Sequence, residues 1–410
     1  MDRRTLRGLR GQPGYLVFVS AATLARISDE MFSVGVVLLV LDRTGSAGLA
    51  GLVVSAITLP SLVTGPLLGA WLDLTGRRRW LMVIDQVVIA VVLVAIIALT
   101  GHGPDWSVPA VALLAGLTYP LSFGGFTSLI PAIVPEELLA GANALEASSF
   151  NFALVVGPAL AGTLAGVFDP AVSLAVEAAL AIAALFLILA IPNLDRTGVG
   201  ERARSLGGIV AAGLRQIVDV PQLRGVTAAG ALGLGGLGLL TVAFPLFAVE
   251  HLGAERNDAG YLWAAFALGS TFGALGLVRL QRRFPAERIV VVALAMFGAL
   301  MLLWPLATAL PVMLGLVALA AMADGPGLAA TFAVRQQRVP ADLHGQVFTT
   351  AAGLKVGSFS LGAALAGPVA TGLGSAEAIL LAAALQFAAA AAGFALMRWP
   401  ARRRAPAPAG

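Results

Sequence analysis

The 410-residue chain is 59% hydrophobic and only 12% charged, with a mean hydropathy of +0.91, where an ordinary soluble domain carries about 25% charged residues. That balance excludes a soluble globular domain, and the absence of cysteine excludes disulfides, thiol catalysis and zinc–thiolate sites. A net charge of +4 and a pI near 10.3 would suit a nucleic-acid binder, but the basic residues follow the pattern of membrane orientation instead.

A bilayer span takes about 20 mostly apolar residues, and twelve such stretches follow one another at about 14–41, 47–72, 80–100, 108–130, 143–167, 170–191, 225–249, 258–280, 289–310, 312–334, 346–370 and 376–397. The first holds Arg26, Asp29 and Glu30, which no signal-peptide core would contain, so it reads as a span and not as a cleaved leader. The 48 glycines suit helices that must approach one another closely. Between spans six and seven the stretch 192–224 is polar and Arg-rich. Within it Leu206, Ile209, Val210, Leu214, Ile217 and Val218 share one helical face, opposite Arg204, Arg215, Gln216 and Asp219. This predicts an amphipathic helix on the membrane surface, tethering spans one to six to spans seven to twelve.

With the N-terminus placed inside, the basic clusters around Arg3–Arg10, Arg77–Arg79, Arg196–Arg224, Arg279–Arg288, Arg335–Arg338 and Arg398–Arg404 all fall on the inner side. Of the 26 basic residues only Arg43 and Arg256 fall outside, while Arg26 and Lys355 lie within spans. The asymmetry predicts cytoplasmic termini and an even number of spans in the inner cell membrane. The chain also repeats at half its length. Val134 and Pro135 recur as Val339 and Pro340, and Arg77 and Arg78 as Arg282 and Arg283. Gly157 through Gly162 recurs as Gly362 through Gly367 with one change. Six helices per repeat preserve orientation, so the expected architecture is two parallel-repeat halves. The expected units are 1–191, a linker 192–224, 225–398, and a basic Pro/Ala tail 399–410.

Between spans two and three runs Gly69, Ala70, Trp71, Leu72, Asp73, Leu74, Thr75, Gly76, Arg77, Arg78 and Arg79. It resembles the signature loop of the major facilitator superfamily, glycine-x-x-x-aspartate-arginine-x-glycine-arginine-arginine, with Leu74 where that family usually has arginine. The physical reading is compatible: Gly69 and Gly76 permit close approach and a tight turn, and Asp73 can accept from the exposed N–H groups of a helix end. The resemblance implies a gating loop formed by Gly69, Asp73, Gly76, Arg77 and Arg78. Leu129 through Leu138, Ala142 through Leu145, and Arg335 through Pro340 are similar to the enterobactin-exporter and macrolide-efflux branch. Gly157, Pro158 and Gly162 in span five resemble the antiporter motif of exporters, with Ala161 replacing a glycine. Ordinary close helix packing accounts for that motif equally well.

Charges at bilayer depth say most. Each costs at least ~2.5–3.5 kcal/mol at a span centre and needs a partner or a watery cavity. The i+3 and i+4 spacings put Asp29 and Glu30 within reach of Arg26, and the trio's net charge of −1 can take up a proton while staying ion-paired. Asp324 lies midway along span ten beside Gly325, Pro326 and Gly327, and Lys355, the single lysine, lies in span eleven. Lys355 reads either as the partner of Asp324 or as a contact for an anionic substrate. Proton coupling is therefore expected at Arg26, Asp29, Glu30 and Asp324, with a structural ion-pair cluster as the alternative at span one.

Other polar residues read more plainly. Asn143 and Glu146 make a capping-box pattern at the start of span five. Asp85 is expected to pair with an inner arginine, and Glu177 in span six has no clear role. His102, His251 and His344 are expected in loops. Aromatic residues such as Phe123, Phe126, Phe150, Phe152, Phe244, Phe247 and Trp263 could line an apolar cavity but read mainly as packing or lipid-facing residues.

No phosphate-binding Gly-x-x-x-x-Gly-Lys sequence is present, which excludes a nucleotide-driven pump of that type. The expected fold is all-α, with twelve transmembrane helices in two halves as in the major facilitator fold. The expected function is secondary transport, as a proton-coupled exporter of small amphipathic molecules such as drugs or a siderophore-like metabolite. An uptake permease or lipid-type flippase is the alternative, and a non-transporting receptor a remote one. No enzyme activity, metal, cofactor, nucleotide or nucleic-acid partner is expected. Its partners would be substrate, protons and the bilayer, acting on a monomer.

Overall fold

In a lipid interior the backbone must satisfy its own hydrogen bonds, which favours helices wherever the sequence is long and apolar. The computed structural model describes residues 3–65, 67–68, 78–121, 126, 130, 133–192, 214–276, 283–339 and 344–399, and among them all regular structure is helical. A short α1 (Arg3–Arg10) precedes twelve longer elements. The first six are α2 (Tyr15–Thr44), α3 (Ala47–Thr58), α4 (Arg78–Leu99), α5 (Ser107–Thr118), α6 (Leu139–Val167) and α7 (Pro170–Ala190). The second six are α8 (Pro221–Leu252), α9 (Ala259–Gly276), α10 (Ala286–Met301), α11 (Leu310–Arg338), α12 (His344–Gly372) and α13 (Ser375–Arg398).

Each of the twelve expected spans overlaps one of these helices, though α3 and α5 cover only about the first half of the second and fourth. Among the described residues eight helices have the length and apolarity to cross a membrane. The breaks between helices have local causes. Gly45 ends α2 in the left-handed conformation, its N–H bonded to the Leu41 carbonyl. The Ser46 hydroxyl then accepts from the Leu49 N–H to start α3. Asp169 caps α7 through the Ala171 N–H, with Pro170 at the first helical position. The linker is helical at 214–219, and Ile217 is buried there. Arg224 fastens its end by donating to the carbonyls of Val218, Leu396 and Trp399. The linker positions 204–210 of the expected amphipathic face, and Gly69, Asp73, Gly76 and Arg77 of the expected gating loop, lie outside the described residues.

Helix pairing in the first six elements recurs in the last six. Helix α2 packs on α6 and α7 as α8 packs on α12 and α13; α3 meets α5 as α9 meets α11; α4 lies on α7 as α10 lies on α13. The two sets of six meet along two seams, α3 with α12 and α6 with α9.

Glycine makes both seams close. A Cβ on Gly51 would run into the Ala363 carbonyl, and one on Gly367 into that of Ala47. On the other seam a Cβ at Gly162 would strike the Asn257 carbonyl, and one at Gly260 that of Pro158. These contacts gather toward the end of the bundle away from α1, where Arg256 also donates to the Leu41 carbonyl at 3.0 Å. Overfilling such a contact costs about 1–3 kcal/mol. Gly260→Val should therefore lower the thermal unfolding midpoint of the detergent-purified protein. Gly315→Val, where a Cβ would meet nothing within 4 Å, should leave it within the scatter of wild type.

Candidate functional site

Helix α2 brings three charges to the middle of the bundle, and the first of them pairs with a neighbouring helix. Arg26 is 1% exposed. Its guanidinium donates to Glu146 Oε1 in an ion pair and to Ser149 Oγ at 2.7 Å. It also stands 5.0 Å from the ring centroid of Phe150 and 6.0 Å from that of Phe126, within the range of cation–π attraction. The ion pair is therefore with α6 and not, as the spacing along α2 suggests, with Asp29 or Glu30. A long side chain reaches a neighbouring helix as easily as its own next turn, and α6 offers a carboxylate and a hydroxyl together. The capping reading of Glu146 is corrected too: α6 already begins at Leu139, so Asn143 and Glu146 lie inside the helix.

Asp29 and Glu30 instead line a cavity of about 110 Å³. Its other walls are Phe32 and Ser33 of α2, Val54, Ile57 and Thr58 of α3, Tyr119 just past α5, and Phe359 of α12. Phe359 reaches the cavity across the seam between the two sets of helices. Next to it Ser360 Oγ donates to Thr58 Oγ1 at 2.6 Å, tying α12 to α3. Glu30 is held against α6 at Gly157, where a Cβ would stand 2.6 Å from Glu30 Cβ. The three residues of the span-five motif thus serve two contacts: Gly157 meets α2, while Pro158 and Gly162 meet α9 and the turn before it. Pockets for drug-sized ligands measure roughly 300–1,000 Å³. This cavity fits an ion or a few water molecules.

Glu177 of α7, without a clear role in the sequence, is 1% exposed beside this site. Its backbone carbonyl accepts from Ser28 of α2, and Tyr119 lies within Coulomb range of Asp29, Glu30 and Glu177. The second set of helices carries the opposite sign. Lys355 of α12 lays its aliphatic stem over Gly230, 3.4 Å from where a Cβ would be. It is within Coulomb range of Asp324 and Arg335, yet Lys355 and Asp324 form no ion pair. Asp324 instead receives a long hydrogen bond from Ser270 at 3.5 Å.

Arg335 is 3% exposed, although its sequence position suggests the membrane surface. The signal that could have placed it is its separation from Asp324 by about three helical turns, which puts both on one face of α11. Two histidines also depart from expectation: His251 and His344 occupy terminal turns of α8 and α12 and not loops. Of the aromatic residues, Phe126, Phe244 and Phe247 are fully buried packing residues, and Phe152 is 53% exposed. A second, more open hollow of about 300 Å³ lies between α8, α12 and Ile217 of the linker, and it is mostly apolar.

Buried ionisable groups within an apolar helical bundle suit a membrane carrier. The chain matches the Major Facilitator Superfamily over residues 18–352, and it belongs to that family of transporters. It is 31% identical to an uncharacterized MFS-type transporter of Sinorhizobium fredii, covering 90% of this chain and 92% of that one. It is 30% identical to the multidrug efflux pump Tap of Mycolicibacterium fortuitum, covering 88% and 90%. With macrolide efflux protein A of Streptococcus pyogenes it shares 23% identity over 64% of this chain and 65% of that one. Among solved structures the nucleoside transporter NupG superposes with a TM-score of 0.71 at 12% identity, over 93% of this chain and 99% of that one. The POT family transporter PepTSo gives 0.71 at 12% identity over 97% and 98%. At such identities these two likenesses speak to the fold alone.

Removing one partner of a buried ion pair costs about 3–5 kcal/mol, whereas replacing both is far less damaging. Arg26→Met should accordingly lower the thermal midpoint of the purified protein sharply. Arg26→Met combined with Glu146→Gln should recover most of that loss, and additive losses would show that the pair is not what anchors α2 to α6.

Proposed function

We propose that the protein is a proton-coupled exporter of small amphipathic molecules, working by alternating access between helices α2–α7 and α8–α13. The observation that carries the reading is the acid-lined cavity of Asp29 and Glu30, walled on one side by Phe359 from the other set of helices. A carboxylate pair that gains or loses charge inside that cavity changes the balance between seam closed and seam parted, which is how a bound ion biases a two-state carrier. The names of the relatives, multidrug and macrolide efflux pumps, support export and a broad substrate class. A proton crossing about 100 mV releases about 2.3 kcal/mol, enough for roughly a fifty-fold gradient of a neutral substrate at 1.4 kcal/mol per tenfold.

In this reading residues 1–191 and 225–398 are the two rocking halves, joined by the linker 192–224. The arginine-rich end faces the cytoplasm of the inner cell membrane. The glycine seams near Gly51, Gly367, Gly162 and Gly260 form the outer barrier that must part for release. Gly69, Asp73, Gly76, Arg77 and Arg78 form the latch at the inner side. Lys355 and Asp324 form the charged wall opposite the acids. The working unit is a monomer, without a cofactor and without catalytic chemistry.

The test is ethidium efflux from cells stripped of background pumps, with and without a protonophore. Wild type should extrude the dye, and the protonophore should abolish extrusion. Glu30→Gln should cut the rate at least tenfold at equal expression, with Asp29→Asn acting in the same direction. Efflux that survives the protonophore would remove the proton from the mechanism, and efflux intact in both variants would remove this cavity from it.

A further inference from the structure

Helices α2 and α7 bury more acid than the cavity uses. Both carboxylate oxygens of Glu177 are buried and lack a hydrogen-bond partner among the described residues. One turn away on α7, Ser173 Oγ is buried and lacks one as well. The two side chains converge on Gly35 of α2, where a Cβ would stand 3.2 Å from Ser173 Oγ and 3.8 Å from Glu177 Oε2. Glycine here lets Ser173 Oγ and Glu177 Oε2 approach α2 beside Leu174, and no donor among the described residues reaches the carboxylate.

Among the described residues the charged and titratable groups around α7 do not supply one. From α2 come Arg26, whose two terminal nitrogens are committed to Ser149 and Glu146, and the acids Asp29 and Glu30. From α4 come Arg79, which donates to the Ile191 carbonyl past the far end of α7, and Asp85, hydrogen-bonded to Gln86. From α6 comes Glu146 and from the end of α5 Tyr119. Glu177 is within Coulomb range of Asp29, a like charge.

An unpaired carboxylate in such a place costs several kcal/mol. A proton removes the charge and supplies the missing donor. We infer that Glu177 is a proton-binding residue of this transporter, holding a proton in the niche over Gly35 with Ser173 and exchanging it with the cavity through Asp29. The exchange needs no co-reactant: the O–H bond at Glu177 breaks as one forms at Asp29, and one negative charge passes the other way. Exposure rises along that path, from Glu177 at 1% through Asp29 at 6% to Glu30, which is half-buried at the cavity wall. The inference rests on the proton-coupled reading of the cavity.

Infrared difference spectra of the purified protein in lipid nanodiscs, taken across a pH step, test it without any substrate. Wild type should show the carbonyl band of a protonated, non-aqueous carboxyl. Glu177→Gln should lose one such component, Ser173→Ala should shift it, and Asp324→Asn should leave it in place. An unchanged band in Glu177→Gln overturns the assignment. Should that variant not fold, an unshifted band in Ser173→Ala does so instead. A component that disappears in sodium chloride but not in choline chloride at the same pH makes the niche a sodium site, which also overturns it. If the band behaves as expected while ethidium efflux ignores a protonophore, the coupling reading fails and the proton site stands.

Discussion

A guanidinium at mid-bilayer depth has to be neutralised by the protein itself, and in this chain that requirement fixes how α2 sits. Arg26 finds its carboxylate and its hydroxyl on α6, between the rings of Phe126 and Phe150. Because that pair sets the register of α2 against α6, it also sets where Asp29 and Glu30 point. They are turned from the arginine toward α3, α5 and the seam with α12. Helix α6 carries the constraint further, since Gly157 meets α2 while Gly162 meets the turn before α9. One ion pair thus links the acid-lined cavity to the contact between the two sets of helices.

The two sets share a packing plan but not a charge plan. Helix pairings recur from one to the other, as expected when a fixed arrangement of apolar faces is used twice. The polar groups do not recur: acids gather around α2 and α7, and Lys355 and Arg335 stand on α12 and α11. Packing between apolar helices depends on shape and small residues, and it tolerates such divergence. A charge in lipid does not, so each buried ionisable group here has its own surroundings. The cross-seam hydrogen bond from Ser360 to Thr58 joins the two plans, placing Phe359 over the acids of the opposite set.

Much of this was legible in the amino-acid order. Long apolar runs located each of the twelve longer helices among the described residues, though the described parts of α3 and α5 stop well short of the runs that foretold them, and the repeat at half the chain length anticipated the recurring pairings. Asp29, Glu30, Asp324 and Lys355 stood out because a charge in an apolar run has few bland explanations. What failed was partner choice. Spacing along one helix suggested Arg26 with Asp29 and Glu30, and Asn143 with Glu146 as a cap, because a linear pattern sees only its own helix. Arg335 reads as a surface residue because the apolar run stops at 334, whereas α11 continues to Arg338, and Glu177 carries no pattern that distinguishes it.

By itself the sequence determined the membrane class, the helical elements and the depths at which charge must be accommodated, because each follows from the local cost of exposing backbone or charge to hydrocarbon. The tertiary structure alone decided that Glu146 and Ser149 answer Arg26, that Phe359 walls the acids, and that Glu177 and Ser173 share a niche at Gly35. Those choices depend on the rotation and register of helices far apart in the chain. Apolar faces of nearly equal hydropathy leave both undetermined until the helices pack.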